Sequence, residues 1–297
     1  MRALLLVVIG ISLALSACAT AAIPVDSAPL RILLTNDDGV DAPGIKTLRE
    51  VLLEAGHDVK VVAPAENQSG EGAKVTSSGA LNYELRSPGV WSVAGTPADA
   101  VLVGLLHVMR DQKPDLVVSG ANFGQNPGYA INSGTVGAAT VSMYTGTPAI
   151  AISVGVNYAE LNATPYPFPS TVKAFAGAAD LVVRLIADLQ QDRAEDGGLL
   201  PQHTILNVNY PALSPEEIKG VRVVRAARSA GVSIDYIETG EAGQLKVKIE
   251  ASEMGAQDAD LQLFSEGYVT ITVLDGDWDA GTLLRDGIAQ RLTSFEQ

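Results

Sequence analysis

Residues 31–39 read RILLTNDDG, an apolar run of strand length that ends in a polar, glycine-bearing turn. A helix is predicted directly after it. Pro43 suits a first helical turn, and Ile45, Leu48, Val51 and Leu52 keep helical spacing. Gly56 fits a helix end, and DVKVVA at 58–63 reads as a second strand. A strand, a helix and a strand in this order predict a βαβ unit, hence an α/β protein built on a parallel sheet.

The pattern continues downstream. Pro64 to Ala73 reads as a loop, with short extended segments near 74–76, 81–85 and 90–93. Thr96-Pro97 starts a helix predicted to reach Met109, with Asp99 in its first turn. DLVVS at 115–119 reads as a buried strand followed by a Gly-rich loop over 119–135. Helices are predicted over 136–144 and 172–190, with strands at 148–153 and 204–208. From 221 to 250 apolar and polar positions alternate, predicting antiparallel strands in a β arm; a strand at 268–273 and a helix over 282–295 close the chain.

Composition narrows the function. The 297 residues hold 20 Lys+Arg against 34 Asp+Glu, a net charge of −14, which argues against a surface that grips a nucleic-acid duplex. With 47% hydrophobic and 18% charged residues the chain is too apolar for disorder. One cysteine excludes an internal disulfide and a Cys-rich zinc site.

Ligands of open parallel sheets bind beyond the carboxyl ends of the strands. Three polar clusters are predicted at that edge: Asn36-Asp37-Asp38-Gly39, Asn67-Gln68-Ser69-Gly70 and Ser119-Gly120-Ala121-Asn122. Alone, the Asp-Asp-Gly triplet reads as an ordinary solvated turn. Three clusters on one edge read differently, as carboxylate, hydroxyl and amide oxygens that suit a hard cation such as Mg²⁺ or Mn²⁺. Asn132-Ser133-Gly134-Thr135-Val136 opens a helix whose free N–H groups can take phosphate oxygens, although Ser133 or Thr135 can also serve as a simple cap. A cation site beside an anion site is what a metal-assisted phosphomonoesterase needs. His57 reads as an exposed loop residue before a strand, His203 likewise precedes a strand, and His107 reads as a packed or capping residue. No Gly-x-Ser-x-Gly elbow accompanies them. Trp91 and Trp278 read as packing residues.

RILLTNDDGVDAPGI, VVAPAENQSGEG, GTPADAV, PDLVVSGANFGQNPG and SGTVGAA, in this order and spacing, resemble the survival protein SurE family. The resemblance is strong over about 30–155 and patchier later, at ILNVNYP, IKGVRVVR and EGYVTITVL. It implies a Rossmann-like core with helices on both faces of a mostly parallel sheet, and a metal-dependent 5′(3′)-nucleotidase. By the same resemblance Asp37, Asp38, Ser69 and Asn122 hold one divalent cation. Asn126, Ser133, Gly134 and Thr135, with Asn36 beside them, take the substrate. The implied reaction hydrolyses a nucleoside monophosphate, the cation polarising the phosphoryl oxygen and acidifying a water whose proton passes to Asp37 or Asp38. Short polyphosphate is a second substrate the family allows, and a homodimer or homotetramer is the expected assembly. A different class of reading is a non-catalytic lipoprotein that holds an anionic ligand in the same crevice. Two positions depart from the family pattern: Gly128-Tyr129-Ala130-Ile131 replaces an acidic stretch, and Asn132 replaces a bulky residue, both on the nucleoside side.

The N-terminus carries an address. Arg2 precedes an apolar run from Ala3 to Leu15, too short to span a bilayer, and Leu15-Ser16-Ala17-Cys18 resembles a bacterial lipobox. Residues 1–17 are therefore expected to be a signal peptide, Cys18 the lipidated residue, 18–29 a tether and 30–297 the folded domain. The ordinary alternative is a secretory signal cut near Ala19 or Ala22. The expected location is periplasmic and lipid-anchored; Ala19 lacks the acidic retention signal, which favours the outer membrane. Familiar members of the family are cytoplasmic.

Overall fold

The computed structural model describes residues 28–128, 130–163, 168–276 and 281–292. Cys18, Tyr129 and Trp278 lie outside them. The opening strand β1 (Arg31–Thr35), helix α1 (Pro43–Glu54) and strand β2 (Asp58–Pro64) form the expected βαβ unit. Strands β3 (Tyr83–Ser87) and β4 (Val90–Val93) form a hairpin that extends the sheet beyond β2. The chain then returns through α2 (Pro97–Val103), prolonged by a π turn over Gly104–Val108, to β5 (Leu116–Phe123) on the other side of β1. Helix α3 (Gly134–Tyr144), β6 (Ala149–Val154), α4 (Pro169–Gln191) and β7 (Ile205–Tyr210) complete the parallel part.

Three more strands follow: β8 (Val221–Val224), β9 (Val232–Glu238) and β10 (Leu245–Ala251). Helix α5 (Asp260–Ser265), strand β11 (Val269–Leu274) and helix α6 (Thr282–Arg291) end the chain. The nine-stranded sheet runs β3-β4-β2-β1-β5-β6-β7-β11-β8, with β3 and β11 antiparallel to their neighbours β4 and β7. Val221–Val224 pairs with β11 in this sheet, whereas β9 and β10 form a separate antiparallel hairpin.

The sheet is buried on both faces, so its central strands are apolar runs rather than alternating ones. Ile32 and Leu34 point to one side, where α1 and α4 contribute Ile45, Leu48, Phe175 and Ile186. Leu33 and Val117 point to the other, against Val101, Val136 and Met143 of α2 and α3. Successive strand residues face opposite ways, so one short motif anchors both cores. Thr96 and Asp99 close a capping box at the start of α2: the Thr96 hydroxyl accepts from the Asp99 N–H at 3.1 Å, and the Asp99 carboxylate accepts from the Thr96 N–H at 3.0 Å.

Two readings need correction. Strand β5 does not stop at Ser119 but runs on to Phe123, absorbing part of the expected loop. It does so through a bulge: Ser119 pairs with Ala151 and Asn122 with Ser153, so three steps on β5 face two on β6. His57 is buried rather than exposed; its Nδ1 accepts from the Leu30 N–H at 3.2 Å, and burial lowers its pKa.

Candidate active site

The order of the strands reverses between β1 and β5: the chain first builds outward through β2 and β4, then returns to the far side of β1. Such a reversal opens a crevice between two adjacent strand ends. Thr35 and Ser119 are paired at the last rung of the β1–β5 ladder, where β1 ends and β5 runs on, so Asn36–Gly39 and Gly120–Phe123 leave it side by side.

Asp37 and Asp38 diverge as they leave β1. Asp37 is almost fully buried and accepts a hydrogen bond from the Thr135 hydroxyl at 2.7 Å. Burial raises its pKa, while the Thr135 hydroxyl and the backbone N–H groups of Gly134 and Thr135 act to lower it. A Cβ at Gly134 would lie 2.7 Å from the Asp37 Cβ, so the helix start approaches this closely only because residue 134 has no side chain. Asp38 turns the other way and accepts from the Phe123 N–H at 2.8 Å. Its pKa is pushed up to about 6, first by burial and then by the neighbouring Asp37 charge, against the pull of the Phe123 N–H.

The remaining predicted residues divide into two groups. Asn36 and Asn122 brace their own turns, Asn36 Nδ2 donating to the Gly39 carbonyl at 2.9 Å and Asn122 Nδ2 to the Gly124 carbonyl at 2.6 Å. Ser133 caps α3, its hydroxyl accepting from the Val136 N–H at 3.1 Å. The loop that carries Ser69 is tied to the same crevice by its backbone, since the Gln68 N–H donates to the Asp37 carbonyl at 2.7 Å. Ser69 itself is exposed. Asn126 stands apart, at the ends of β6 and β7: its N–H donates to Asn209 Oδ1 at 2.6 Å and its Nδ2 to the Ser153 hydroxyl at 2.9 Å.

Sequence reasoning missed the support behind Asn126. Asn207 and Asn209 are buried on β7, and Asn207 Nδ2 donates to the Asn126 carbonyl at 2.9 Å. Asp260, at the start of α5, is buried and accepts from the Gly128 N–H at 2.9 Å. A signal existed in ILNVNY at 205–210, where two asparagines two residues apart interrupt a strand otherwise fit for the core.

The donor set suits a hard cation. Asp37 and Asp38 bring two carboxylates, and Ser69 and Asn122 bring neutral oxygens. Among the described residues no three His, Cys, Asp or Glu side chains gather to hold a metal, so the donors this crevice offers are oxygens of mixed charge rather than an acidic or imidazole cage. The buried Asn36 Oδ1 and Ser119 Oγ, without hydrogen-bond partners, lie where the β1–β5 ladder ends and leave unsatisfied polarity there.

The chain is similar to known proteins over most of its length. The family described as Survival protein SurE matches residues 32–232. 5′-Nucleotidase SurE 1 of Burkholderia lata is 34% identical over 249 residues, covering 82% of this chain and 90% of that protein. 5′-Nucleotidase SurE of Nitratidesulfovibrio vulgaris is 38% identical over 269 residues, covering 86% and 98%. The crystal structure of a SurE protein from Aquifex aeolicus superposes with a TM-score of 0.72 at 33% identity, covering 88% of this chain and 98% of that one. With a matched fold, a family match across most of the chain and relatives covered almost end to end, this chain belongs to the survival protein SurE family.

Proposed function

We propose that this protein is a divalent-cation-dependent phosphomonoesterase that hydrolyses nucleoside 5′-monophosphates to nucleoside and phosphate. The observation that carries the reading is the meeting of Asp37, Asp38 and the start of α3 at the β1–β5 reversal. The nucleotidase names of its relatives support the substrate class. Asp37, Asp38, Ser69 and Asn122 would hold one Mg²⁺ or Mn²⁺, which supplies Lewis acidity toward a phosphoryl oxygen and a water.

The protein's own groups have separate tasks. Asp37 is held against the N-terminus of α3 by Thr135 and keeps a fixed place. Asp38 is tied only through one backbone N–H among the described residues and is the freer of the two to accept a proton from water. At the start of α3 the Ser133 hydroxyl keeps its proton for a phosphate oxygen, while Gly134 and Thr135, whose N–H groups and hydroxyl face Asp37, fix that carboxylate beside it. Asn126 lines the substrate side, and Asn36, fully buried with its amide on the Gly39 carbonyl, shapes the turn beneath it. Short polyphosphate, which also presents terminal phosphoryl groups, belongs in the same substrate panel.

Purified protein should release phosphate from AMP or GMP with Mn²⁺ or Mg²⁺ and lose that activity to EDTA. Asp38→Asn should reduce the rate about 10²–10⁴-fold, because it removes both a carboxylate ligand and a proton acceptor. Nucleotide binding without turnover, with or without metal, would replace the enzyme by a binding protein. Full activity in Asp38→Asn would overturn the residue assignment.

Two further readings belong to the proposal. The β9–β10 hairpin exposes Ile234, Tyr236, Val247 and Ile249, which supports a homodimer or homotetramer joined through it. The lipobox-like LSAC at 15–18 supports export and a lipid on Cys18, with the outer membrane as the destination. Labelled palmitate should enter the wild-type chain in a bacterial host, and Cys18→Ser should abolish the label.

A further inference from the structure

Asp260 is fully buried, and no cation touches it among the described residues. A carboxylate in such a place is costly unless donors surround it. It accepts four hydrogen bonds, and its two oxygens face different parts of the chain. Oδ1 takes the Leu261 N–H at 2.7 Å and the Ala227 N–H at 2.8 Å. Oδ2 takes the Gly128 N–H at 2.9 Å and the Thr272 hydroxyl at 3.2 Å. Capping α5 would need only the first of these. The other contacts reach the loop after β5, the segment entering the hairpin, and β11.

The loop and the hairpin root also touch directly. A Cβ at Gly128, whose φ is +69°, would lie 2.1 Å from the Ser229 carbonyl oxygen. Ser229 in turn holds the two hairpin strands together at their base, its hydroxyl donating to the Glu253 carbonyl at 2.7 Å and accepting from the Gly231 N–H at 3.0 Å. Two residues before Gly128, Asn126 is pinned by Asn209, Asn207 and Ser153. That polar layer is incomplete, since Asn207 Oδ1, Asn209 Nδ2 and Thr270 Oγ1 are buried without partners. It holds Asn126, whereas Gly128, two residues further along the loop, is held by Asp260.

We propose that Asp260 is a positioning residue that clamps the Asn126–Gly128 loop to the root of the β9–β10 hairpin and so sets the substrate side of the crevice. The role rests on the nucleotidase reading, in which Asn126 meets the substrate. Asp260 touches neither substrate nor cation. Its loss loosens substrate binding and leaves the Asp37–Asp38 side in place.

In Asp260→Asn an amide N–H₂ that takes the place of Oδ2 faces the Gly128 N–H, donor against donor, while the other oxygen keeps its partners. The expected result, with saturating Mn²⁺, is a KM for AMP raised about tenfold, kcat within about threefold, and an unchanged Mn²⁺ half-saturation. Gly128→Ala attacks the same junction from the loop side and should give the same split without touching the buried carboxylate. It decides the matter if Asp260→Asn does not fold. An unchanged KM in folded variants overturns the proposal, as does an equal loss of metal affinity. A wild-type protein inactive on AMP overturns the nucleotidase reading instead. The clamp is then decided by amide hydrogen exchange at Gly128, which should be slow in wild type and at least about tenfold faster in Asp260→Asn; equal rates overturn it.

Discussion

Asp99 shows what one buried carboxylate does for stability. Its burial alone would raise its pKa, yet hydrogen bonds from the backbone and side chains of Thr76 and Thr96 hold it below the usual carboxylate value. A depressed native pKa means that the unfolded chain binds the proton more readily, so this contribution is present above about pH 4 and fades as pH falls below it. Asp99→Asn should therefore lower stability by about 1–2 kcal/mol at pH 7, and urea melts should find the difference shrinking toward pH 3. Equal penalties at both pH values would remove the ionic explanation. At this scale the sequence was most legible where a motif is contiguous. Asp37 and Asp38 are adjacent in the chain and adjacent in the crevice. Asp260 escaped because two of its four partners, Ala227 and Gly128, lie 33 and 132 residues away, a separation that no local pattern encodes.

Helix α3 shows how an element can serve packing and chemistry at once. Its far face closes one core with Val136, Ala138 and Met143, while its first turn meets Asp37. Gly134→Ala sets the two roles against each other. Alanine favours a helix by about 1 kcal/mol over glycine, but the new Cβ would have to displace Asp37 from 2.7 Å. The helix gain keeps the melting temperature within a few degrees, while AMP hydrolysis should fall at least about tenfold; undiminished activity would show that the close approach is dispensable. Most elements were readable from periodicity, since buried strands are short apolar runs and α1 and α4 carry apolar stripes. The exceptions have physical causes. The tail of β5, Gly120-Ala121-Asn122-Phe123, has the composition of a loop, and pairing with β6 overrides it. Val221–Val224 alternates like the hairpin strands, and only the long-range partner β11 places it in the main sheet.

Across the whole molecule the surface is uneven. No helix among the described residues is long and apolar enough to cross a membrane. Apolar side chains nonetheless stand out on the hairpin and on α6, where Leu283 is 92% exposed. A two-stranded hairpin is marginal in water by itself, so the exposed Ile234 and Ile249 faces are expected to be covered by further copies of the chain. Ile249→Asp should shift the particle to a smaller species in light scattering while leaving the far-UV spectrum unchanged. An unaltered mass would place the subunit contact elsewhere. Alternation in 221–250 made the arm legible and sorts its faces: Ile234 and Tyr236 lie with Val247 and Ile249 on one side, while Ile237 stands among Asp235, Lys246 and Lys248 on the other.

The crevice is braced from two separate directions. Asp37 and Asp38 rest on β1, β5 and α3, whereas Asn126 and Gly128 rest on β6, β7 and α5. A change in one set of supports need not disturb the other. On the proposed nucleotidase reading, evolution or an engineer can thus retune which phosphate ester is accepted by working on Asn207, Asn209 and Asp260, while the Asp37–Asp38 half is inherited intact.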